Sequence, residues 1–199
     1  MRAIKAQDIT GVILAGGRGH RMGGVDKGLV PLHGRPLVEY VMDALRPQVG
    51  RLIISANRNR DIYASYGFPV IADDAAGDYE GPLAGMLSAL RAVDTPYILF
   101  APCDTPRLPP DLVRRLAAES SNASVVACEG RMQPVVALLH ARLASSLQEY
   151  FEEGGRGTGE WLRRLGAALV DFSDEAETFE NINTPEQLQH FQMKAPLKT

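Results

Sequence analysis

Ile9-Thr10-Gly11-Val12-Ile13-Leu14-Ala15-Gly16-Gly17-Arg18-Gly19-His20-Arg21-Met22-Gly23-Gly24-Val25-Asp26-Lys27-Gly28 is a stretch of two halves. Ile9 to Ala15 is apolar, β-rich and closed by glycines, which predicts a buried strand running into a loop. Gly16 to Lys27 then packs five glycines, two arginines and a lysine into twelve residues. Glycine lets backbone N–H groups approach a polyphosphate closely, and a turned backbone makes an anion-binding nest. Arg21 offers a planar fork and Lys27 a compact charge to neutralise phosphate. The plainer alternative is a glycine-rich turn with solvated basic residues, but long loops in compact domains are usually functional. The segment is not a Walker A loop, because Gly28 follows Lys27 where Ser or Thr is required. Nor is it a dinucleotide fingerprint, because Met22 stands where the third glycine would be.

Outward from this strand and loop, the chain alternates. Pro36 is placed to open a helix through about Arg46, with Leu37, Val38, Val41, Met42 and Leu45 on one face. Leu52 to Ala56 reads as a strand, a short helix surrounds Ile62 and Tyr63, and Pro69 to Ala72 reads as a further strand. Gly81-Pro82 starts a helix whose Leu83, Met86, Leu87 and Leu90 form a stripe. Tyr97 to Ala101 is continuously apolar, as in a strand buried on both faces. Pro109-Pro110 opens a helix through Leu112, Val113 and Leu116. Val125 to Cys128 and Val135 to Leu139 read as strands joined across a Gly130-Arg131 turn. Helices at Leu143 to Phe151 and around Trp161, a strand at Leu169 to Phe172 and a last helix complete the order. That last helix carries a capping box, Thr184-Pro185-Glu186-Gln187. The alternation predicts a three-layer, Rossmann-like α/β fold with a mostly parallel central sheet, as one domain over residues 1–199.

Composition narrows the function. The 199 residues are 45% hydrophobic and 23% charged, with a net charge of −3. That balance argues against a nucleic-acid or acidic-membrane partner, which requires a basic surface to release counterions. Cys103 and Cys128 make neither a disulfide framework nor a zinc set. The four histidines, His20, His33, His140 and His190, are scattered. No secretory leader follows Met1 and no apolar run is long enough to span a bilayer, so a cytoplasmic chain is expected.

In an open α/β sheet, ligands bind where the carboxyl ends of strands converge. Three unusual segments sit at expected strand ends: the glycine loop, Ser55 to Arg58, and Pro102 to Thr105. Asp104 is placed to hold a hard cation against phosphates, though a turn or helix-cap aspartate is an equal reading of its position. Ser55, Asn57 and Asp73 have groups able to read a base edge or a ribose, while Asn57 equally suits a turn. Gly81 to Gly85 supplies a second helix start, and Asn181 and Asn183 precede the last helix, where turn residues are common.

Leu14-Ala15-Gly16-Gly17 with Arg21, Met22 and Lys27 resembles the signature of the molybdenum cofactor guanylyltransferases, within the wider group of NTP-dependent nucleotidyltransferases. Ser55-Ala56-Asn57-Arg58, Asp73-Asp74, Gly81-Pro82-Leu83-Ala84-Gly85, Pro102-Cys103-Asp104-Thr105-Pro106 and Asn181-Ile182-Asn183-Thr184-Pro185 are similar to further family segments, in family order. The resemblance implies transfer of GMP from GTP to the terminal phosphate of molybdopterin (Mo-molybdopterin), with release of pyrophosphate. It implies Mg2+ as cofactor, Asp104 as its ligand, and Arg21, Lys27 and Asp104 as the catalytic set. Leu14, Ala15, Gly16, Gly17, Gly24, Lys27, Ser55, Asn57, Asp73 and Asp104 would bind the nucleotide. Asn181 and Asn183 would face the second substrate or the metal, and Arg156 is a candidate grip for the pterin phosphate. Other cofactor-assembly proteins or recipient molybdoenzymes are the implied partners. The alternatives are a related enzyme with another NTP and a sugar-phosphate acceptor, or a catalytically silent nucleotide binder.

Overall fold

Seven strands form the central sheet: β1 (Ile9–Leu14), β2 (Arg51–Ser55), β3 (Val70–Ile71), β4 (Tyr97–Pro102), β5 (Ala123–Cys128), β6 (Arg131–His140) and β7 (Ala168–Asp171). The structure, a computed structural model, describes residues 3–16, 24–72, 81–119 and 121–193. The spatial order is β3-β2-β1-β4-β6-β5-β7. All neighbours run parallel except β6, which is antiparallel to both β4 and β5. The mostly parallel sheet is therefore present as expected. β6 runs against it because a tight hairpin, which can only join antiparallel strands, follows β5.

The helices are α1 (Leu37–Leu45), α2 (Arg60–Ala64), α3 (Pro82–Ala92), α4 (Leu112–Ala118), α5 (Ala144–Glu152), α6 (Thr158–Arg164) and α7 (Pro185–Met193). Alternation along the strands divides their side chains between two layers. Ile9 and Ile13 of β1, with Leu99 and Ala101 of β4, pack with Val38, Val41 and Leu45 of α1 and Leu112 and Leu116 of α4. Val12, Ile98 and Phe100 face the other way, onto Leu83, Met86 and Leu90 of α3, Phe151 of α5 and Trp161 of α6. Each such aliphatic side chain, once fully buried, contributes about 1.5–3 kcal/mol from the area removed from water. The stripe expected on α3 is there, but Ala84, Gly85, Ser88 and Ala89 are buried as well. α5 packs against this helix.

Several boundaries differ from the sequence reading, three of them for reasons visible in the backbone. Pro36 does not open α1: it is extended (φ −54°, ψ 140°) and forms the N-cap. With Arg35 it pairs with Pro31 and Leu32 in a small hairpin. That hairpin turns on His33 and Gly34, both at positive φ (49° and 80°), the backbone hand that matches strand twist. The β5–β6 hairpin uses the same geometry at Glu129 and Gly130, so Arg131 already belongs to the strand. Finally, Pro109-Pro110 lies in a turn and α4 starts two residues later, behind Asp111. A proline disfavours helical backbone in the residue before it, which delays the start.

The capping box of α7 forms as read: Gln187 N donates to Thr184 Oγ1 at 3.3 Å and Thr184 N to Gln187 Oε1 at 3.1 Å. Phe191 of this helix joins Leu32, Leu37, Tyr40 and Ile182 in a third apolar cluster. The chain's last described segment is thereby pressed beside the carboxyl end of β4. Among the described residues no helix is long and apolar enough to cross a membrane.

Candidate active site

The carboxyl ends of β1, β2 and β4 are knitted together by backbone bonds. Ala15 N donates to Ser55 O at 2.8 Å, and Cys103 N to Leu14 O at 3.1 Å. Leu14, Ala15 and Gly16 thus begin the glycine loop at the middle of the sheet, with Ala15 buried and Gly16 exposed. Gly17, Arg21 and Asp73 lie outside the described residues. The loop is described again from Gly24, an exposed residue with φ 81°.

Lys27 is the centre of the site. Its Nζ donates to Asp104 Oδ2 at 3.0 Å and to Asn183 Oδ1 at 2.5 Å. The Asp104 carboxylate is deeply placed, with 9% of its side chain exposed against 21% for Lys27. Its second oxygen, Oδ1, is buried with no hydrogen-bond partner. A buried orphan of this kind requires an explanation, since buried polar atoms are nearly always satisfied. Burial pushes the Asp104 carboxyl above the usual carboxylate range, and the neighbouring Lys27 opposes that rise. The orphan oxygen is what a divalent cation needs from a protein that supplies one carboxylate and leaves the remaining positions to phosphate and water oxygens. Among the described residues no group of three or more His, Cys, Asp or Glu could hold a metal by itself. Among the described residues, Asp104 is one with a free buried oxygen able to hold a cation.

The last segment is tied in at three points. Ile182 N donates to Asp104 O at 2.9 Å, and Thr105 Oγ1 donates to Asn181 Oδ1 at 2.5 Å. Asn183 completes the set through Lys27. Both asparagines are therefore at the site: Asn183 by direct contact with the lysine, Asn181 one residue removed, on Thr105.

Lys27 is also anchored from behind. Asp26 is buried, accepting from Tyr63 Oη at 2.6 Å and from Asn59 Nδ2 at 3.0 Å. Arg58 Nη1 donates to Gly24 O at 2.9 Å. Gly28 admits no side chain, because a Cβ there would lie 2.4 Å from the Tyr63 hydroxyl and 3.3 Å from Cys103 Cβ. The Asp26–Tyr63–Asn59 anchor escaped the sequence reading. Asp26 offers only its adjacency to Lys27 as a signal, and Tyr63 reads as an ordinary apolar position in a short helix.

Other candidates fall at varying distance from this centre. Ser55 ends β2 almost wholly buried, while Asn57 is exposed in the bend that follows. Arg156 Nη1 donates to Phe151 O at 3.2 Å and Gly155 O at 2.7 Å, which caps the end of α5. Cys103 is beside the site but buried, and burial pushes its thiol well above the usual range, which disfavours the thiolate. The geometry as described sets a lysine against a buried carboxylate with one unsatisfied oxygen at the strand ends, with no covalent nucleophile among the described residues.

Residues 11–169 match the family described as the MobA-like NTP transferase domain. A molybdenum cofactor guanylyltransferase from Polynucleobacter asymbioticus is 44% identical over 193 residues, spanning 93% of this chain and 96% of that protein. One from Yersinia pestis is 47% identical over 180 residues, spanning 89% and 92%. Among solved structures, molybdopterin-guanine dinucleotide biosynthesis protein A from Archaeoglobus fulgidus has the same fold, with a TM-score of 0.75 at 24% identity over 92% of this chain and 96% of that one.

Proposed function

Because the chain belongs to the MobA-like NTP transferase family, we propose that it transfers GMP from GTP to the terminal phosphate of molybdopterin, forming molybdopterin guanine dinucleotide and pyrophosphate. An oxygen of the acceptor phosphate attacks the α-phosphorus of GTP. The bond from that phosphorus to the oxygen bridging to the β-phosphate breaks, and pyrophosphate leaves. The acceptor oxygen is already ionised at neutral pH, so no general base is required. Positioning and charge neutralisation carry such a reaction.

The observation that carries the reading is the Lys27–Asp104–Asn183 triangle with its unsatisfied Asp104 Oδ1. Lys27 is the phosphate clamp, together with Arg21. Leu14, Ala15, Gly16, Gly17 and Gly24 wrap the triphosphate, and Ser55, Asn57 and Asp73 serve the nucleoside. Asn181 and Asn183 face the second substrate or the metal. Mg2+, resting on Asp104, would neutralise charge on the phosphates and on the pyrophosphate that leaves. The reading takes residues 1–199 as one nucleotidyltransferase domain in the cytoplasm, handing its product to other assembly proteins or recipient molybdoenzymes.

The test is transfer of label from GTP carrying a radioactive α-phosphate to molybdopterin, with and without Mg2+. The expected result is Mg2+-dependent transfer with GTP preferred over ATP, CTP and UTP. Preference for another nucleotide, or no transfer at all, overturns the guanylyl assignment.

A further inference from the structure

Lys27 reaches forward to Asp104 and Asn183, but its backbone is located by what lies behind it. Asp26 turns inward, its two carboxylate oxygens taken by two neutral donors, the Tyr63 hydroxyl and the Asn59 amide. Tyr63 is fully buried in α2, and Asn59 stands at that helix's N-terminus in left-handed backbone, φ 50°. A carboxylate is an acceptor at both oxygens, so it satisfies both donors at once. One residue past the lysine, Gly28 is pressed against the same Tyr63 hydroxyl and against Cys103, the neighbour of Asp104. One phenol thus touches the residues on either side of Lys27, and Arg58 holds Gly24 to the same segment.

We infer that Asp26 is a positioning residue for Lys27, and that Tyr63 and Asn59 make it a strut between the loop after β2 and the phosphate-binding lysine. The strut fixes the lysine's Cα while Asp104 and Asn183 fix its tip, leaving the side chain one course across the site. A buried carboxylate with no cationic partner among the described residues is a costly way to hold a turn. It is better explained where the position of the next residue matters. The inference rests on the reading of Lys27 as the phosphate clamp.

The experiment compares Tyr63→Phe, Asp26→Ala, Asp26→Asn and the Asp26→Ala/Tyr63→Phe double variant, each normalised to its folded fraction by circular dichroism. GMP transfer from Mg-GTP to molybdopterin is measured as kcat and KM. A misplacement of the lysine by about 1 Å is expected to lower kcat by about 10- to 100-fold in Asp26→Ala and Tyr63→Phe, with KM for GTP changed by less than about threefold. Asp26→Asn keeps an acceptor for Tyr63 and is expected to retain most of kcat. The double variant is expected to be no worse than Asp26→Ala, since both changes cut the same strut. A second readout needs no turnover: acetylation of Lys27 by acetic anhydride in the nucleotide-free protein, followed by mass spectrometry. Labelling is expected to change several-fold in Asp26→Ala and Tyr63→Phe and to stay near wild type in Asp26→Asn. Wild-type kcat with wild-type labelling in Asp26→Ala overturns the inference, as does a kcat loss that disappears after normalisation. Should the wild-type protein transfer no GMP, the activity reading fails, and the labelling still decides whether Asp26 positions Lys27.

Discussion

Replacing Lys27 with methionine separates the lysine's structural role from its chemical one. The Asp104 carboxylate has Lys27 as its side-chain partner, its other oxygen has none, and the residue is 6% exposed. Removing one member of a buried pair ordinarily costs about 3–5 kcal/mol. Here Asp104 can escape by taking up a proton, which at about pH 7 costs at most roughly 4 kcal/mol for a group whose unfolded pKa is near 3.9. That ceiling falls by about 1.4 kcal/mol per pH unit, to about 1.5 kcal/mol near pH 5. The sign follows from linkage: burial raises the folded pKa of Asp104, and losing Lys27 raises it further. The penalty is thus largest above the folded pKa and shrinks as pH falls toward the unfolded value. Allowing for the lysine's partial exposure, a loss of about 2–3 kcal/mol is expected near pH 8, or a Tm lower by roughly 5–10 °C. Urea denaturation near pH 8 and near pH 5, with the m-value held constant, measures it. The Lys27→Met/Asp104→Asn double variant should recover most of the loss. Turnover should fall by about 10²–10³-fold, as for loss of a preorganised charge facing a transition state. A domain with about 5–15 kcal/mol of stability stays folded through this, so the rate loss is not unfolding. Equal destabilisation near pH 5 and pH 8, or no recovery in the double variant, would refute the reasoning.

Three further outcomes follow from the same geometry. Asp104→Asn should lower GMP transfer by at least about 100-fold, and in a thermal-shift assay should abolish the Mg2+-dependent part of the stabilisation by GTP while moving the nucleotide-free Tm little. Gly28→Ala drives a Cβ to 2.4 Å from the Tyr63 hydroxyl and should cost about 1–3 kcal/mol. In a Tyr63→Phe background the same change should cost measurably less, and strict additivity in denaturation would contradict the contact. Burial, with Asp26 and Cys103 nearby, holds the Tyr63 phenol far above its ordinary pKa. It stays neutral in the folded chain while the unfolded chain ionises, so stability is present below about pH 10 and falls by about 1.4 kcal/mol per unit above it. Tyr63→Phe should flatten that slope in urea titrations near pH 9 and pH 11.

Periodicity and punctuation carried much of the fold. Ile9 to Leu14 and Tyr97 to Pro102 are strands where continuous apolar runs stand, and Thr184 and Gln187 cap α7 as their spacing implies. What stayed hidden has physical causes. The Pro31–Leu32 and Arg35–Pro36 hairpin has two residues per strand, too few for a period to register. Strand order is a matter of which faces meet, and no local pattern records that β6 lies between β4 and β5. In the site, Lys27 and Asp104 were legible because each chemical type stands at a strand end or in a glycine loop. Their partnership with Asn183 spans 156 positions and no spacing rule reaches so far. Asp26 and Tyr63 were invisible because a buried hydroxyl–carboxylate bond leaves no repeat in sequence, only two residues that look ordinary apart.

The acceptor that Lys27 finds in Asn183 also sets an order of events in the life of the molecule. During synthesis the glycine loop emerges first, Asp104 some eighty residues later on the numbering, and Asn183 near the end. Domains generally begin folding from the portion already made, so the sheet from β1 to β6 can close while the third corner of the triangle is still unborn. The contacts of Lys27 are then completed beside the last described helix, which packs on Leu32, Leu37 and Tyr40 through Phe191, while Ile182 just before it bonds the Asp104 carbonyl. The three-way contact of Lys27, Asp104 and Asn183 can form only once the chain has been read through Asn183.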